Sequence, residues 1–252
     1  MQIKLDNVTY KNLNLDFVIE NNKITGLVSN DINTLTTIND VIKNNTVDGG
    51  SIKYIKKSKK NTIGLISISD VENIIDGNCY AFLNAEQIDE EMYKLVNIIK
   101  KVLEKDISHL STTEKIKLVI LKCLIEDHDT ILIDGILEQL DEVQRKNIIK
   151  LLINLKKFNE KTILISSVDI DLIYEFIDSL IIVIDGRCLT SKDKYTIFKD
   201  NNIININKPL VKQIEEMVYN KSNINLGNND SINELIKSIY REIRWYFDQI
   251  FN

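Results

Sequence analysis

A chain of 252 residues with 44% hydrophobic and 27% charged residues has the balance of an ordinary globular protein, long enough to bury a full core as one large domain or two small ones. Its net charge of -5 excludes the basic excess that a nucleic-acid partner requires, so none is expected. Three widely spaced cysteines (Cys79, Cys123, Cys188) and two histidines (His109, His128) form neither a disulfide framework nor a metal-ligand spacing, which fits a reducing compartment.

Residues 1–6 lack the apolar core of a signal peptide, and the longest apolar runs, such as 180–184, are too short to span a bilayer. A soluble, cytoplasmic chain is therefore expected. Residues 3–10 alternate Ile, Leu and Val with polar side chains and read as a strand, with 13–19 as its hairpin partner and Glu20-Asn21-Asn22-Lys23 as a turn. A short buried strand at 24–28 leads through a loop into a helix over about 36–43. Asp48-Gly49-Gly50 turns into a strand at 51–55, and 62–68 is another.

The middle reads as helical. Residues 86–105 place Ile88, Met92, Leu95, Val96, Ile99, Val102 and Leu103 at helical spacing, and 112–126 do so with Ile116, Val119, Ile120, Cys123 and Leu124. Strand and helix then alternate: 130–134, 141–158, 162–166, 171–177 and 180–184. That rhythm predicts a mainly parallel sheet flanked by helices. The last helix opens at the capping-box pattern Ser231-x-x-Glu234 and carries Ile232, Leu235, Ile236, Ile239, Ile243, Tyr246, Phe247 and Ile250. It reads as packed on its own domain, with a partner-binding helix as the alternative.

Four segments occur in a telling order. Leu110-Ser111-Thr112-Thr113-Glu114 opens a helix, and Ile131-Leu132-Ile133 ends in Asp134. Leu140-Asp141 precedes a long helix, and Thr162-Ile163-Leu164-Ile165-Ser166-Ser167-Val168-Asp169 forms a late strand and its exit. At these separations they resemble the signature motif, Walker B aspartate, D-loop and switch-histidine strand of an ABC transporter ATPase, with Val168 in the histidine slot. Within that family the chain is most like the energy-coupling-factor (ECF) transporter ATPases, through its opening strand and its tail from Tyr195 through Pro209-Leu210-Val211 to Met217. The resemblance implies an α/β P-loop NTPase fold, an ABC-type nucleotide-binding domain over 1–207. It would carry an N-terminal antiparallel β subdomain, a helical insert at about 69–125 and a C-terminal helical extension over 208–252.

The same resemblance sets Ser29-Asn30-Asp31-Ile32-Asn33-Thr34-Leu35-Thr36-Thr37 at the phosphate loop, or Walker A motif. Ser29, Ile32 and Thr34 fall at glycine positions and Leu35 at the lysine; the Thr36-Thr37 pair is retained. Such a loop needs glycines so that several N–H groups converge on phosphate oxygens, and a lysine for the β/γ charge. A non-glycine residue forced into a left-handed conformation costs roughly 1–2 kcal/mol. A lost charge-assisted hydrogen bond costs roughly 1.5–3 kcal/mol. Together they approach about 5 kcal/mol, on the order of a thousandfold in affinity. Asp31 adds a negative charge beside the phosphates.

Elsewhere Gly135 replaces the general-base glutamate, Ile68 the Q-loop glutamine and Val168 the histidine. Phosphoryl transfer is positioning plus electrostatics, so these losses together remove turnover, and no catalytic residue is assigned. ATP and magnesium are expected to bind weakly if at all, with Thr36 and Asp134 the residues that would hold the metal. Ser111, Thr112, Thr113 and Glu114 would contribute only weakly to a partner's ATP, and the plain reading of Ser111 is a helix N-cap. Asp141 is the D-loop residue. Tyr10 is the candidate for the aromatic that stacks on adenine.

The implied role is a catalytically degenerate subunit paired with a second ABC ATPase subunit, like or unlike itself. The helical region 69–110 would dock a transmembrane component at the inner face of the cell membrane. Two alternatives stand beside it. One is an active or weakly active ATPase in which Thr36, Asp134 and a cation act through an unusual loop. The other is a pseudo-ATPase interaction module outside transport.

Overall fold

Two strand patterns build the sheet. β1 (Gln2–Tyr10) and β2 (Leu13–Ile19) alternate, with Ile3, Leu5, Val8, Leu13, Leu15, Phe17 and Ile19 turned inward. They pair antiparallel, and β4 (Gly49–Ile55) joins the free side of β1, giving the N-terminal antiparallel subdomain. β3 (Ile24–Ser29), β6 (Thr130–Asp134) and β7 (Thr162–Ser167) are buried along their whole length, and β8 (Ser179–Ile184) nearly so. Such continuous apolar runs suit a parallel sheet covered on both faces. β5 (Ile63–Ser67) forms its edge, and β9 (Arg187–Ser191) turns back antiparallel to β8. The order is β4-β1-β2-β9-β8-β3-β7-β6-β5. This computed structural model describes residues 1–55, 62–85, 87–191, 194–198 and 206–251, and only the backbone at 190, 191 and 246–251.

The helices are α1 (Ile32–Asn44), α2 (Ile68–Glu72), α3 (Cys79–Phe82), α4 (Glu90–Leu95), α5 (Lys100–Leu103), α6 (Thr112–Ile125), α7 (Glu142–Asn159), α8 (Leu210–Ser222) and α9 (Ile232–Phe251). Cores lie on both faces of the sheet. One gathers Leu35, Ile38, Val41 and Ile42 of α1 with the antiparallel strands, and the other joins α6, α7 and the insert to the parallel strands.

Four expectations need correction. The helix expected over 86–105 is broken into α4 and α5, because Asn97 takes a left-handed φ of 54°, which asparagine tolerates and a helix does not. Glu86 lies outside the described residues. The helix expected over 171–177 is only a 3-10 turn at Ile170–Leu172, capped by Asp169, followed by irregular turns that bury Ile173, Tyr174 and Ile177. β9 was not foreseen. α1 begins at Ile32, four residues before the expected start.

The tail is fastened to this body. Val211, Leu226 and Leu235 enter the core beside the parallel strands, while Ile232, Ile236, Tyr240 and Ile243 of α9 face outward. The Lys194 ammonium is buried against the Tyr174 carbonyl (2.8 Å) and Asp230 (3.0 Å), and Asp230 also accepts from the Tyr195 hydroxyl at 2.6 Å. Asn229 bridges Glu215 of α8 and Ser238 of α9. Side chains of Tyr246, Phe247 and Ile250 lie outside the described residues. Among the described residues no helix is long and apolar enough to cross a membrane.

Candidate functional site

The carboxyl ends of β3, β6 and β7 open onto one edge of the sheet, the usual place for a ligand in a parallel α/β fold. There α1, rather than a loop, occupies most of the expected phosphate-binding segment. Asp31 is its N-cap: Oδ1 accepts from the Asn33 N–H (3.1 Å), and Oδ2 accepts from the Thr34 N–H (3.1 Å) and the Thr34 hydroxyl (2.8 Å). The Thr34 hydroxyl, first, and the Asn33 amide hold its carboxyl below the ordinary aspartate range. Only Asn30 and Asp31 separate β3 from the helix, with Ser29 as the last buried residue of the strand.

None of residues 29–35 takes a positive φ, so the strain expected at Ser29, Ile32 and Thr34 is never incurred; the chain avoids it by continuing the helix. Leu35, expected at the lysine position, points into the core at 2% exposure and packs with the antiparallel strands. Ile32 is exposed, Asn33 is exposed, and Thr37 is half-buried on the same helix.

Thr36 and Asp134 do meet. The Thr36 hydroxyl donates to Asp134 Oδ2 at 2.8 Å, while Asp134 Oδ1 is buried with no partner. Burial, first, raises the Asp134 carboxyl above its ordinary range, aided by the charges of Glu138 and Asp40 and opposed by Thr36 and Asn39. An orphaned oxygen beside a threonine hydroxyl is what a magnesium ion would use. Magnesium, however, demands about six oxygens in a near-ideal octahedron, several of them from phosphates. Thr36 and Asp134 are the two protein groups that would hold the ion here, and waters and phosphates would supply the rest of the set.

Two participants carry no signal in the resemblance. Asn39, fully buried on α1, donates to Ser166 Oγ at 2.8 Å. Glu138 follows Asp134 by four residues; its Oε1 accepts from the Ser167 hydroxyl (2.6 Å) and the Val168 N–H (3.3 Å), tying the β6 exit to the switch position. The Asn39 position was legible only as a polar residue on the apolar face of a helix. Glu138 gave none.

The remaining positions are accounted for locally. Gly135 takes φ +65° with open space around it, and half-buried Ile68 opens α2 and packs toward the core. Val168 is exposed. A cleft of about 570 Å³ runs between Thr36, Ser67, Ile68, Asp134, Gly135 and Glu138. At α6, Ser111 and Glu114 form a closed capping box: the Ser111 N–H donates to the Glu114 carboxylate at 2.8 Å and its hydroxyl at 2.9 Å. Thr112 and Thr113 begin the helix behind it. Asp141 is the N-cap of α7, accepting from the Gln144 N–H at 2.8 Å. Tyr10 sits at the β1–β2 turn with the Lys11 ammonium 5.2 Å from its ring centre.

Relatives in sequence and in fold agree. The energy-coupling factor transporter ATP-binding protein EcfA of Methanocaldococcus jannaschii is 28% identical over 215 residues, 79% of this chain and 77% of that protein. The protein of the same name from Methanosphaera stadtmanae is 26% identical over 199 residues, 72% of this chain and 71% of its own. The solved structure of cbiO1 from Clostridium perfringens, described as part of the ABC transporter complex cbiONQ, superposes with a TM-score of 0.65 at 18% identity, covering 88% of this chain and 95% of that one. No family model matches the chain. Sheet order, helix placement and the superposition give the chain the fold of an ABC-type nucleotide-binding domain, and its sequence is similar to ATP-binding proteins of energy-coupling factor transporters.

Proposed function

We propose that the chain is a nucleotide-binding-domain subunit of an ABC transporter of the energy-coupling-factor kind that does not itself turn over ATP. It pairs with an active ATPase subunit and couples it to a membrane component, from the inner face of the cell membrane. One observation carries this reading: α1 runs through the phosphate-loop positions and buries Leu35 where a lysine would face the triphosphate. The residues at the base, glutamine and histidine positions, Gly135, Ile68 and Val168, supply no acid, base or amide side chain.

Kinship with transporter ATP-binding proteins supports the subunit role. The cleft that runs from α2 past Leu110 and Lys115 toward Gln139 supports a docking place for a membrane component's cytoplasmic helix. On this reading residues 1–207 form the nucleotide-binding-type domain and 208–252 its helical extension.

The test has two arms. Titration of the isolated protein with Mg·ATP should reach no saturation at micromolar concentration, and affinity capture from membranes should bring down an ATPase subunit and a membrane protein whose complex hydrolyses ATP. Tight Mg·ATP binding or unaided turnover by the isolated chain overturns the reading.

A further inference from the structure

A buried oxygen without a hydrogen bond costs free energy, and folded chains leave few of them. Two carboxylates at the β6 exit each leave one. Asp134, 6% exposed, receives the Thr36 hydroxyl on Oδ2 at 2.8 Å, and its buried Oδ1 has no partner among the described residues. Glu138 receives the Ser167 hydroxyl and the Val168 N–H on Oε1, and its buried Oε2 has none either. Both line the cleft of about 570 Å³, where Asp40, Asp70 and Glu72 stand with the single ammonium group of Lys43. Burial, and after it the charges of Glu138 and Asp40, pushes the Asp134 carboxyl above its ordinary range. Acidic side chains on a cleft wall are by themselves a solvated surface. A buried carboxylate among them with an unused oxygen is a position for a cation.

We infer that Glu138 gives this chain a nucleotide-independent cation site, in which Asp134, Glu138 and Thr36 hold one small, hard divalent cation with water and no phosphate. The donors are all oxygen, which suits magnesium or manganese and disfavours zinc or copper. Among the described residues no three acidic, histidine or cysteine side chains gather into a ligand set, so water completes the shell. Magnesium commonly keeps several waters and binds through one or two carboxylates, whereas calcium takes about six to eight oxygens. Glu138 supplies the second negative charge that a phosphate brings to a loaded nucleotide site. Its other oxygen stays with Ser167 and Val168, so the ion would also tie α1 and β6 to the exit of β7.

The whole chain tests this in the absence of nucleotide. Manganese is the probe, read by the loss of the free ion's electron paramagnetic resonance signal, and magnesium is the competitor. One manganese should bind per chain, and magnesium should displace it. Glu138→Gln keeps the oxygen that meets Ser167 and Val168 and removes the charge. Its manganese affinity should fall about tenfold or more, the size of one lost charge contact. Asp134→Asn should fall at least as far, and Glu72→Gln, at an exposed position, should bind as the wild type does. Should Glu138→Gln fail to fold, bound manganese must broaden the wild-type amide resonances of 135–139 before those of 70–72.

A wild type that binds no manganese at millimolar concentration, or a Glu138→Gln variant that binds it equally, overturns the cation site and leaves the inert-subunit reading in place. Binding that potassium chloride of equal ionic strength abolishes is a diffuse counter-ion and overturns the site as well. Saturation by Mg·ATP at micromolar concentration overturns the inert-subunit reading instead, and the site then stands or falls on the nucleotide-free titration alone.

Discussion

The Thr36 hydroxyl donates to Asp134 Oδ2 at 2.8 Å, joining α1 to the end of β6 across 98 positions of sequence. Thr36→Val keeps the shape and removes that donor from a carboxylate that is 6% exposed. The expected loss is about 2 kcal/mol, read as a fall in the urea midpoint without a change in slope. Asp134→Asn should be neutral or stabilising at pH 7, because it deletes a charge that burial disfavours. The pH signs follow. The Asp134 carboxyl is raised on folding, so its contribution falls as pH rises from the ordinary aspartate range through the raised value. Asp31 is lowered, so its contribution is present above the ordinary range and lost as pH falls through the folded value.

Restoring the missing lysine should damage the protein rather than repair it. Leu35 is 2% exposed among the apolar residues of α1 and the antiparallel strands, and Leu35→Lys would push an ammonium group into that core. A cost of about 3 kcal/mol or more is expected from lost packing and an unpaired charge. Thermal unfolding and an Mg·ATP titration of the variant check it together. A stable variant that gains ATP affinity would mean that the helix can reopen into a loop.

Much of this fold was legible because burial leaves its period in the sequence. Uninterrupted apolar runs at β3, β6 and β7, and the alternation of strands with helices after them, placed the parallel sheet correctly. Three failures have local causes. Leu35, Ile38, Val41 and Ile42 share a helical face, and Asp31 is a good N-cap; read by period, they start the helix at Ile32, but the resemblance drew attention to a loop. Asp185-Gly186, with φ of 48° and 76°, is a two-residue hairpin turn that announces β9. Asn97 ended a helix that apolar spacing alone extended. Glu138 was not legible, because its importance lies in a contact with Ser167 and Val168 that only the folded chain creates.

The cysteines should react in a fixed order. Burial raises all three thiols, and Cys123 is pushed up to about 12. Cys79 and Cys123 are buried, whereas Cys188 is half-buried near the Asp16 backbone. A disulfide reagent at pH 7.5 should label Cys188 first and slowly, and the other two only after unfolding in urea. Fast labelling of Cys123 would contradict its burial on α6 against β5.

The tail should depend on one buried ammonium group. Lys194 is 5% exposed on its side chain and holds both Asp230 and the Tyr174 carbonyl. Lys194→Met keeps the stem and removes the charge, leaving Asp230 with the Tyr195 hydroxyl. Since Asp230 remains partly hydrated, the cost should be about 2 kcal/mol, below the usual figure for breaking a fully buried pair. Trypsin should then cut within α8 and α9 earlier than in the wild type. Unchanged proteolysis would mean that Val211, Leu226 and Leu235 hold the tail without it.

Glu114 decides what α6 offers to a partner subunit. Burial opposes its ionisation, but hydrogen bonds from the Ser111 N–H and hydroxyl, with Lys105 and Lys117 nearby, outweigh burial and hold the carboxyl below its ordinary range. A fixed negative charge therefore caps the helix whose N-terminus would face a partner's γ-phosphate on the proposed pairing. Glu114→Gln keeps the capping box and removes the charge. In the captured complex it should raise ATP turnover severalfold, as expected for relieving one like-charge repulsion of about 1 kcal/mol at a wet interface. Glu114→Ala also loses the cap and serves as the control: its stability should fall by about 1 kcal/mol, with a smaller gain in rate. Equal rates for wild type and Glu114→Gln would mean that this helix end does not meet the partner's nucleotide, and the geometry of pairing would have to be sought elsewhere on the domain.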